Sequence, residues 1–303
     1  MAKLLILDLF NLIHRAYHAL PKEFTDKNGN PTNAIYGVSS MLLTVLNQVH
    51  PTYVVAVVDT EKPTFRHEAF TGYKAHRRPM EDLLSVQIPK VLELVNAFKI
   101  QAVSAPGYEA DDLVAAIATK HKKANQVIVF SNDRDLWQLV QPNVVIMLPS
   151  TKGDKIEWVG EKEVIARLGV LPNQVPDYKG LVGDSKHLII NFAKSLLTVS
   201  LQFGDLLKKY STIENIYRHV GEVTPDSLRE KLVNGYDQAV MSKKLATLDY
   251  NTPADFSLEA SRYGNLPIQS VSEALQSYNF KSLLKRVGVE PSVREAAQKG
   301  LFD

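Results

Sequence analysis

The chain has 303 residues, of which 45% are hydrophobic and 22% charged, with a formal net charge of +2. Those values describe an ordinary globular chain of one large domain or two smaller ones, and so weak a charge balance selects no class of partner. The absence of cysteine excludes a disulfide framework and any thiolate metal site. The apolar run after Met1-Ala2-Lys3 is too short for a secretory leader, and residues 28–58, although free of Asp, Glu, Lys and Arg, are interrupted by Asn47, Gln48, His50 and Pro51. The sequence therefore predicts a cytoplasmic protein with no membrane span.

Leu4-Leu5-Ile6-Leu7 is a short apolar run ending in Asp8, and Leu12 to Ala19 has helical spacing, so the chain opens with a strand-to-helix unit. Ala34 to Val49 predicts a helix. Tyr53 to Val58 predicts a strand whose unbroken apolar run implies cover on both faces, and Asp59 follows it. After the basic stretch Arg66 to Arg78, a helical pattern runs from about Met80 to Phe98. Ile100 to Ser104 predicts a strand, Ala105-Pro106-Gly107 its turn and Leu113 to Ala118 the body of the next helix. Glu109, Asp111 and Asp112 crowd that junction. Val127 to Phe130 predicts another buried strand, followed by Asp133, Asp135 and a short helix from Leu136 to Val140. After Val144 to Leu148 come a polar loop, an edge strand from Ile156 to Val159, and then helical patterns to the end. The division expected from this change lies near Val175, giving an α/β part at 1–174 with an arch at about 66–98, and a helical part at 175–303.

Alternation of strand and helix implies a mostly parallel sheet with helices on both faces, whose strand ends share one edge. Acids follow four of its strands. Like charges so close raise one another's pKa unless a hard cation such as Mg²⁺ or Mn²⁺ takes their oxygens. For Glu109, Asp111 and Asp112 taken alone a second reading stays open, an acidic first helical turn stabilised by the helix dipole; Asp133 and Asp135 likewise read as helix caps. Recurrence after four separate strands favours one shared crevice.

These residues resemble the family of 5′ nuclease domains found at the N-terminus of bacterial DNA polymerase I, part of the flap endonuclease family with its PIN-like fold. Asp8 with Asn11, Leu12 and Arg15 resembles the opening motif, and Val58-Asp59 with Pro63 to Glu68 the second. Gly72 to Arg77 is similar to the basic segment of a helical arch; Gly107 to Asp112, Ser131 to Leu139 and Leu181 to Ser185 match later acidic motifs in order. Ser242 to Thr247 and Phe280 to Leu284 resemble C-terminal helices of the domain.

The resemblance implies a metal-dependent phosphodiesterase acting on DNA with a 5′ flap, a nick or a 5′-ended duplex, in replication and repair, as a monomer near the nucleoid. Paired Mg²⁺ or Mn²⁺ ions roughly 4 Å apart activate water and neutralise the phosphate in such enzymes. By position, Asp8, Asp59, Glu109 and Asp111 hold the first ion with Asp112 nearby, while Asp133, Asp135 and Asp184 lie toward the second. Lys74 and Arg77 meet the scissile phosphate, and Arg15, Arg66, Tyr73, Lys74, Arg77 and Arg78 contact DNA.

Three departures qualify this. Leu9 replaces the family's glycine after the first aspartate, which places bulk beside the crevice. Lys186-His187-Leu188 replaces a Ser-Asp-Asn sequence, leaving His187, a poor Mg²⁺ ligand, where an acid is expected. No glycine lies between Gly183 and Gly204, so the glycine-rich helix-hairpin-helix that grips duplex phosphates through potassium does not carry over to 184–204. A weakly active or inactive nucleic-acid-binding homologue, and an unrelated metal phosphatase on a similar sheet, are the competing readings.

Overall fold

The computed structural model describes residues 1–60, 62, 64, 66–67, 73, 79–149, 157–183 and 196–288, the last range by backbone alone at 196–201. Strands β1 (Ala2–Asp8), β2 (Tyr53–Val57), β3 (Gln101–Val103), β4 (Asn125–Phe130), β5 (Val144–Leu148) and β6 (Glu157–Val159) form one sheet in the order β3-β2-β1-β4-β5-β6. All pairs are parallel except β5 with β6. This is the mostly parallel sheet that the apolar runs predicted.

Those runs are unbroken because the sheet separates two cores. Leu4, Ile6, Val55, Val57, Val127 and Val129 face one, shared with the helix Ala110–His121 and with Val164, Val175, Leu181 and Phe203. Leu5, Leu7, Val54, Ala56, Ile128 and Phe130 face the other, shared with α1 (Leu9–Ala19), α2 (Asn33–Val49), the helix Ile88–Ala97 and the C-terminal helices Ile268–Ser277 and Lys281–Arg286. Alternate residues of a strand point to opposite faces, so each strand serves both cores at once. The first core continues past residue 175 without interruption.

Leu9 is a correction. It is the first residue of α1 and is fully buried in the second core, so its bulk packs inward and does not narrow the crevice beside Asp8. The single helix expected from Met80 to Phe98 is instead two, Asp82–Ser85 and Ile88–Ala97. Pro89 has no amide hydrogen to continue the first. Gln87, at the break, is fully buried: its Nε2 donates to Asn33 Oδ1 at 2.9 Å and to the Leu83 carbonyl at 2.7 Å, while its Oε1 accepts from the Ala34 amide at 2.9 Å.

In the C-terminal part, the helix Val175–Val182 lies against Tyr236–Ala246 at Gly180, where a Cβ would meet Ile213 Cδ1 at 2.6 Å and the Ala239 carbonyl at 2.8 Å. Lys243, on the second of these helices, pairs there with Asp177 at 2.7 Å and Glu214 at 2.8 Å. Among the described residues no helix is long and apolar enough to cross a membrane.

Candidate metal centre and nucleic-acid interface

The strand order places β1 between β2 and β4, and the chain moves outward from β1 in both directions, first to β2 and β3, then to β4 and β5. A crevice opens at the carboxyl edge of such a switch point because the following segments leave to opposite faces. Asp8 ends β1, Asp59 lies two residues beyond β2, and Asp133 three beyond β4. After β3, Gly107 takes φ +86, a left-handed turn that L side chains adopt rarely, and starts the helix that carries Asp111.

Hydrogen bonds fix these acids to one another's segments. The Ser131 hydroxyl donates to Asp8 Oδ2 at 2.6 Å and accepts from the Asp133 amide at 3.0 Å. Asp8 Oδ1 accepts from the Asn11 amide at 3.4 Å, and Asn11 Oδ1 accepts from the Asn132 amide at 2.9 Å, which ties β1 to the loop after β4. Asp59 Oδ1 accepts from the Ala110 amide at 2.8 Å, joining the end of β2 to the helix Ala110–His121.

The electrostatics follow from this convergence. Burial pushes the Asp8 carboxyl up to about 7; the Ser131 hydrogen bond opposes the rise, and the Asp133 and Asp59 carboxylates add to it. Asp111 is raised well above the ordinary carboxylate range, first by desolvation and then by Asp133, Asp8, Asp59 and Glu109. Among the described residues no lysine, arginine or histidine pairs with Asp8, Asp59, Asp111 or Asp133. Nor do any three acidic or histidine side chains among the described residues stand close enough to clasp an ion as placed. A donor set of carboxylate oxygens, desolvated and mutually repelling, fits a hard divalent cation, whose charge would reverse both shifts and draw the side chains together.

The other expected residues divide. Glu109 is buried beside the cluster; the Tyr73 hydroxyl donates to its Oε2 at 3.1 Å, and the Tyr73 ring meets His67 edge-on. Asp112 and Arg66 are corrections. Arg66 is 2% exposed and its guanidinium forms a two-pronged bond to Asp112, which is itself fully buried. Arg66 is thus turned away from any DNA, and both Asp112 oxygens are taken. Asp135, expected toward the second ion, is engaged as well: it pairs with Lys179, and its amide donates to Asp133 Oδ1 at 2.8 Å. Lys74, Arg77, Arg78, Asp184 and His187, with the glycine-poor segment after Gly183, lie outside the described residues.

Arg15 projects from α1 into a cleft of about 390 Å³ lined also by Asn11, His14, His18, Ala19 and Asn132. Its Nε is buried with no hydrogen-bond partner among the described residues, and burial lowers its pKa. The residue that sequence reasoning passed over is Ser131, the hub between Asp8 and Asp133. Its signal was a hydroxyl placed immediately after a buried strand and two residues before an acid.

Two sequence models match the chain: the 5′-3′ exonuclease N-terminal resolvase-like domain over residues 3–169, and the 5′-3′ exonuclease C-terminal SAM fold over residues 170–267. A 5′-3′ exonuclease of Aquifex aeolicus is 34% identical over 304 residues, the full length of both chains. DNA polymerase I of Caldicellulosiruptor bescii is 39% identical over 96% of this chain, which spans 34% of that polymerase. The chain thus spans about a third of the polymerases it matches. Among solved structures, the bacteriophage T5 D15 flap endonuclease in complex with DNA and metal ions aligns with a TM-score of 0.64 at 16% identity, covering 94% of this chain and 97% of that one. The catalytic core of Rad2 with DNA substrate aligns at a TM-score of 0.58, again at 16% identity and over 94% of this chain and 92% of that one. Both share this fold. With two sequence models matching in succession over residues 3–267 and a full-length relative at 34% identity, the chain belongs to the 5′-3′ exonuclease family.

Proposed function

We propose that this chain is a divalent-metal-dependent 5′ nuclease that hydrolyses phosphodiester bonds of 5′-ended or 5′-flap DNA. The observation that carries the proposal is the convergence of Asp8, Asp59, Asp111 and Asp133 on one sheet edge with no described cation to balance them. Family membership supports it, as do the DNA and metal ions named with the T5 enzyme of the same fold.

On this reading Asp8, Asp59, Glu109 and Asp111 hold a first ion, with Asp133 and Asp184 toward a second. Bound Mg²⁺ or Mn²⁺ lowers the pKa of a water and neutralises charge on the phosphate. The chain's own residues do the rest. Ser131 holds Asp8 and Asp133 in fixed register, and Asp59 anchors the helix start that presents Asp111. Arg15 offers an unpaired buried donor to a strand phosphate in the cleft beside the acids. Lys74 and Arg77, by their place in the arch motif, stabilise charge that develops on the scissile phosphate, with Arg78 and Tyr73 along the same strand. The chain acts as a monomer in the cytoplasm, on nucleoid DNA.

Among the described residues the weakly active alternative draws on one contact, the Lys179–Asp135 ion pair that engages an acid of the second set. It leaves the four converging acids unexplained and is not favoured. Single-turnover cleavage of a labelled 5′ flap decides the matter: cleavage in Mg²⁺ or Mn²⁺ that disappears with chelator is expected, and absence of cleavage in both metals overturns the proposal.

A further inference from the structure

Behind the acidic cluster lies a second polar assembly that the nuclease reading does not use. Arg66 Nη1 donates to Asp112 Oδ2 at 2.5 Å and Nη2 to Asp112 Oδ1 at 2.7 Å; Nη2 also donates to the Thr247 carbonyl at 2.9 Å, and Nε to the Leu245 carbonyl at 3.0 Å. Asp112 in turn accepts from the Asp249 amide at 2.8 Å and the Glu109 amide at 3.4 Å. Gln138 grips the same strap from the other side. Its Nε2 donates to the Ala246 carbonyl at 3.0 Å and the Asp135 carbonyl at 2.8 Å, and its Oε1 accepts from the Leu248 amide at 3.2 Å.

Every residue from Leu245 to Asp249 is therefore held through its backbone by a side chain of the α/β part. The anchors are not scattered. Asp112 sits beside Asp111 on the helix Ala110–His121, and Gln138 lies in the 3₁₀ turn Asp135–Leu139 that follows Asp133. The strap thus joins the segment whose Asp111 holds the first ion to the segment whose Asp133 lies toward the second, and so spans the spacing of the pair. It also continues the helix Tyr236–Ala246, whose Lys243 is tied to Asp177 and Glu214 of the C-terminal part.

We propose that Arg66, Asp112 and Gln138 are positioning residues that lock the Leu245–Asp249 strap across the two acid-bearing segments, so that the C-terminal part sets the spacing of the metal ligands and with it the metal affinity. The proposal rests on the nuclease reading of the cluster. Two segments pinned to one rigid strap cannot drift apart under the repulsion of their own carboxylates; released from it, they separate until an ion draws them back at the expense of its affinity. Partners that orient metal ligands without touching the metal are worth about 10- to 100-fold in affinity.

The test is Mn²⁺ titration calorimetry together with single-turnover flap cleavage over a range of Mg²⁺, on the full chain and on Arg66→Lys, Asp112→Asn and Gln138→Leu, each first confirmed folded by thermal melting. The expected result is a Mn²⁺ Kd weakened about 10- to 100-fold, a matching rise in half-saturating Mg²⁺, and a rate at saturating Mg²⁺ that returns to within a few-fold of the parent. Gln138→Leu leaves the buried ion pair intact, so it carries the test should the other two fail to fold. Variants with a lowered melting temperature but the parent's Mn²⁺ Kd and Mg²⁺ dependence would show the strap to be structural only, and overturn the proposal. A parent that neither binds Mn²⁺ nor cleaves overturns the nuclease reading instead.

Discussion

Asp111 and Asp112 are neighbours on one helix, yet they belong to two regions of opposite electrostatic character. On the cleft side, Asp111 shares poorly hydrated space with Asp8, Asp59 and Asp133, and its carboxyl is raised by them. On the strap side, Asp112 is wholly buried, but Arg66 and two backbone amides occupy its oxygens. Consecutive helical residues point about 100° apart, enough to send one acid to solvent-facing chemistry and the other into a closed network. A buried charge satisfied within the chain is structural; one left to its like-charged neighbours has a use only when something from outside balances it.

The comparison breaks most visibly if the cleft side is neutralised. Asp111→Asn or Asp133→Asn is expected to lower single-turnover flap cleavage by orders of magnitude while the far-ultraviolet spectrum is unchanged and the melting temperature equals or exceeds the parent's, since each change removes a repelling charge and no core contact. Parent-like rates at limiting Mg²⁺ would remove that residue from the metal centre. The strap side should respond in the opposite way. Arg66→Ala strands Asp112 without its partner, and denaturant unfolding should show a loss of about 3–5 kcal/mol of stability. A loss near zero would mean that Asp112 is solvated and the two regions are alike.

Proton linkage sharpens the contrast. Asp8 has a folded-state pKa of about 7 against an ordinary 3.8, so its protonation stabilises the metal-free fold, fully at low pH and less and less as pH rises through that window. Asp8→Asn should therefore match the parent near pH 4 and exceed it by on the order of 4 kcal/mol at pH 8 in chelator, with the gap closing in saturating Mg²⁺. A gap that does not depend on pH would place Asp8 in an ordinary solvated setting. The smallest effect concerns Arg15, a half-buried cation that pairs with no acid among the described residues. Arg15→Ala should reduce the slope of log affinity against log salt by about 0.7 to 0.9 for flap DNA, and an unchanged slope would mean that the cleft meets no phosphate.

Much of this was legible in the chain before folding. Runs such as Tyr53 to Val58 announced strands covered on both faces, and acids at the ends of four strands announced a common edge. Pattern failed where partners lie far apart in sequence. Nothing near Arg66 distinguishes a guanidinium that will meet DNA from one that will close on Asp112, 46 residues away, and on carbonyls 179 and 181 residues away. Leu9 reads as bulk in the crevice until the start of α1 turns it into the core. Asp135 reads like Asp133, and only the approach of the helix Val175–Val182 brings Lys179 to it.

The sequence by itself determined the alternation of strand and helix, the two-sided burial of the sheet and the list of acids at its edge, because side-chain period and turn chemistry are local properties of a chain. Tertiary structure alone decided which of those acids find no compensating cation among the described residues. Whether a carboxylate keeps its charge for an ion or gives it to an arginine depends on what lies within a few ångströms, and the contacts that set those neighbours, Arg66 on Asp112 and Lys179 on Asp135, join residues more than forty positions apart and exist only in the folded chain.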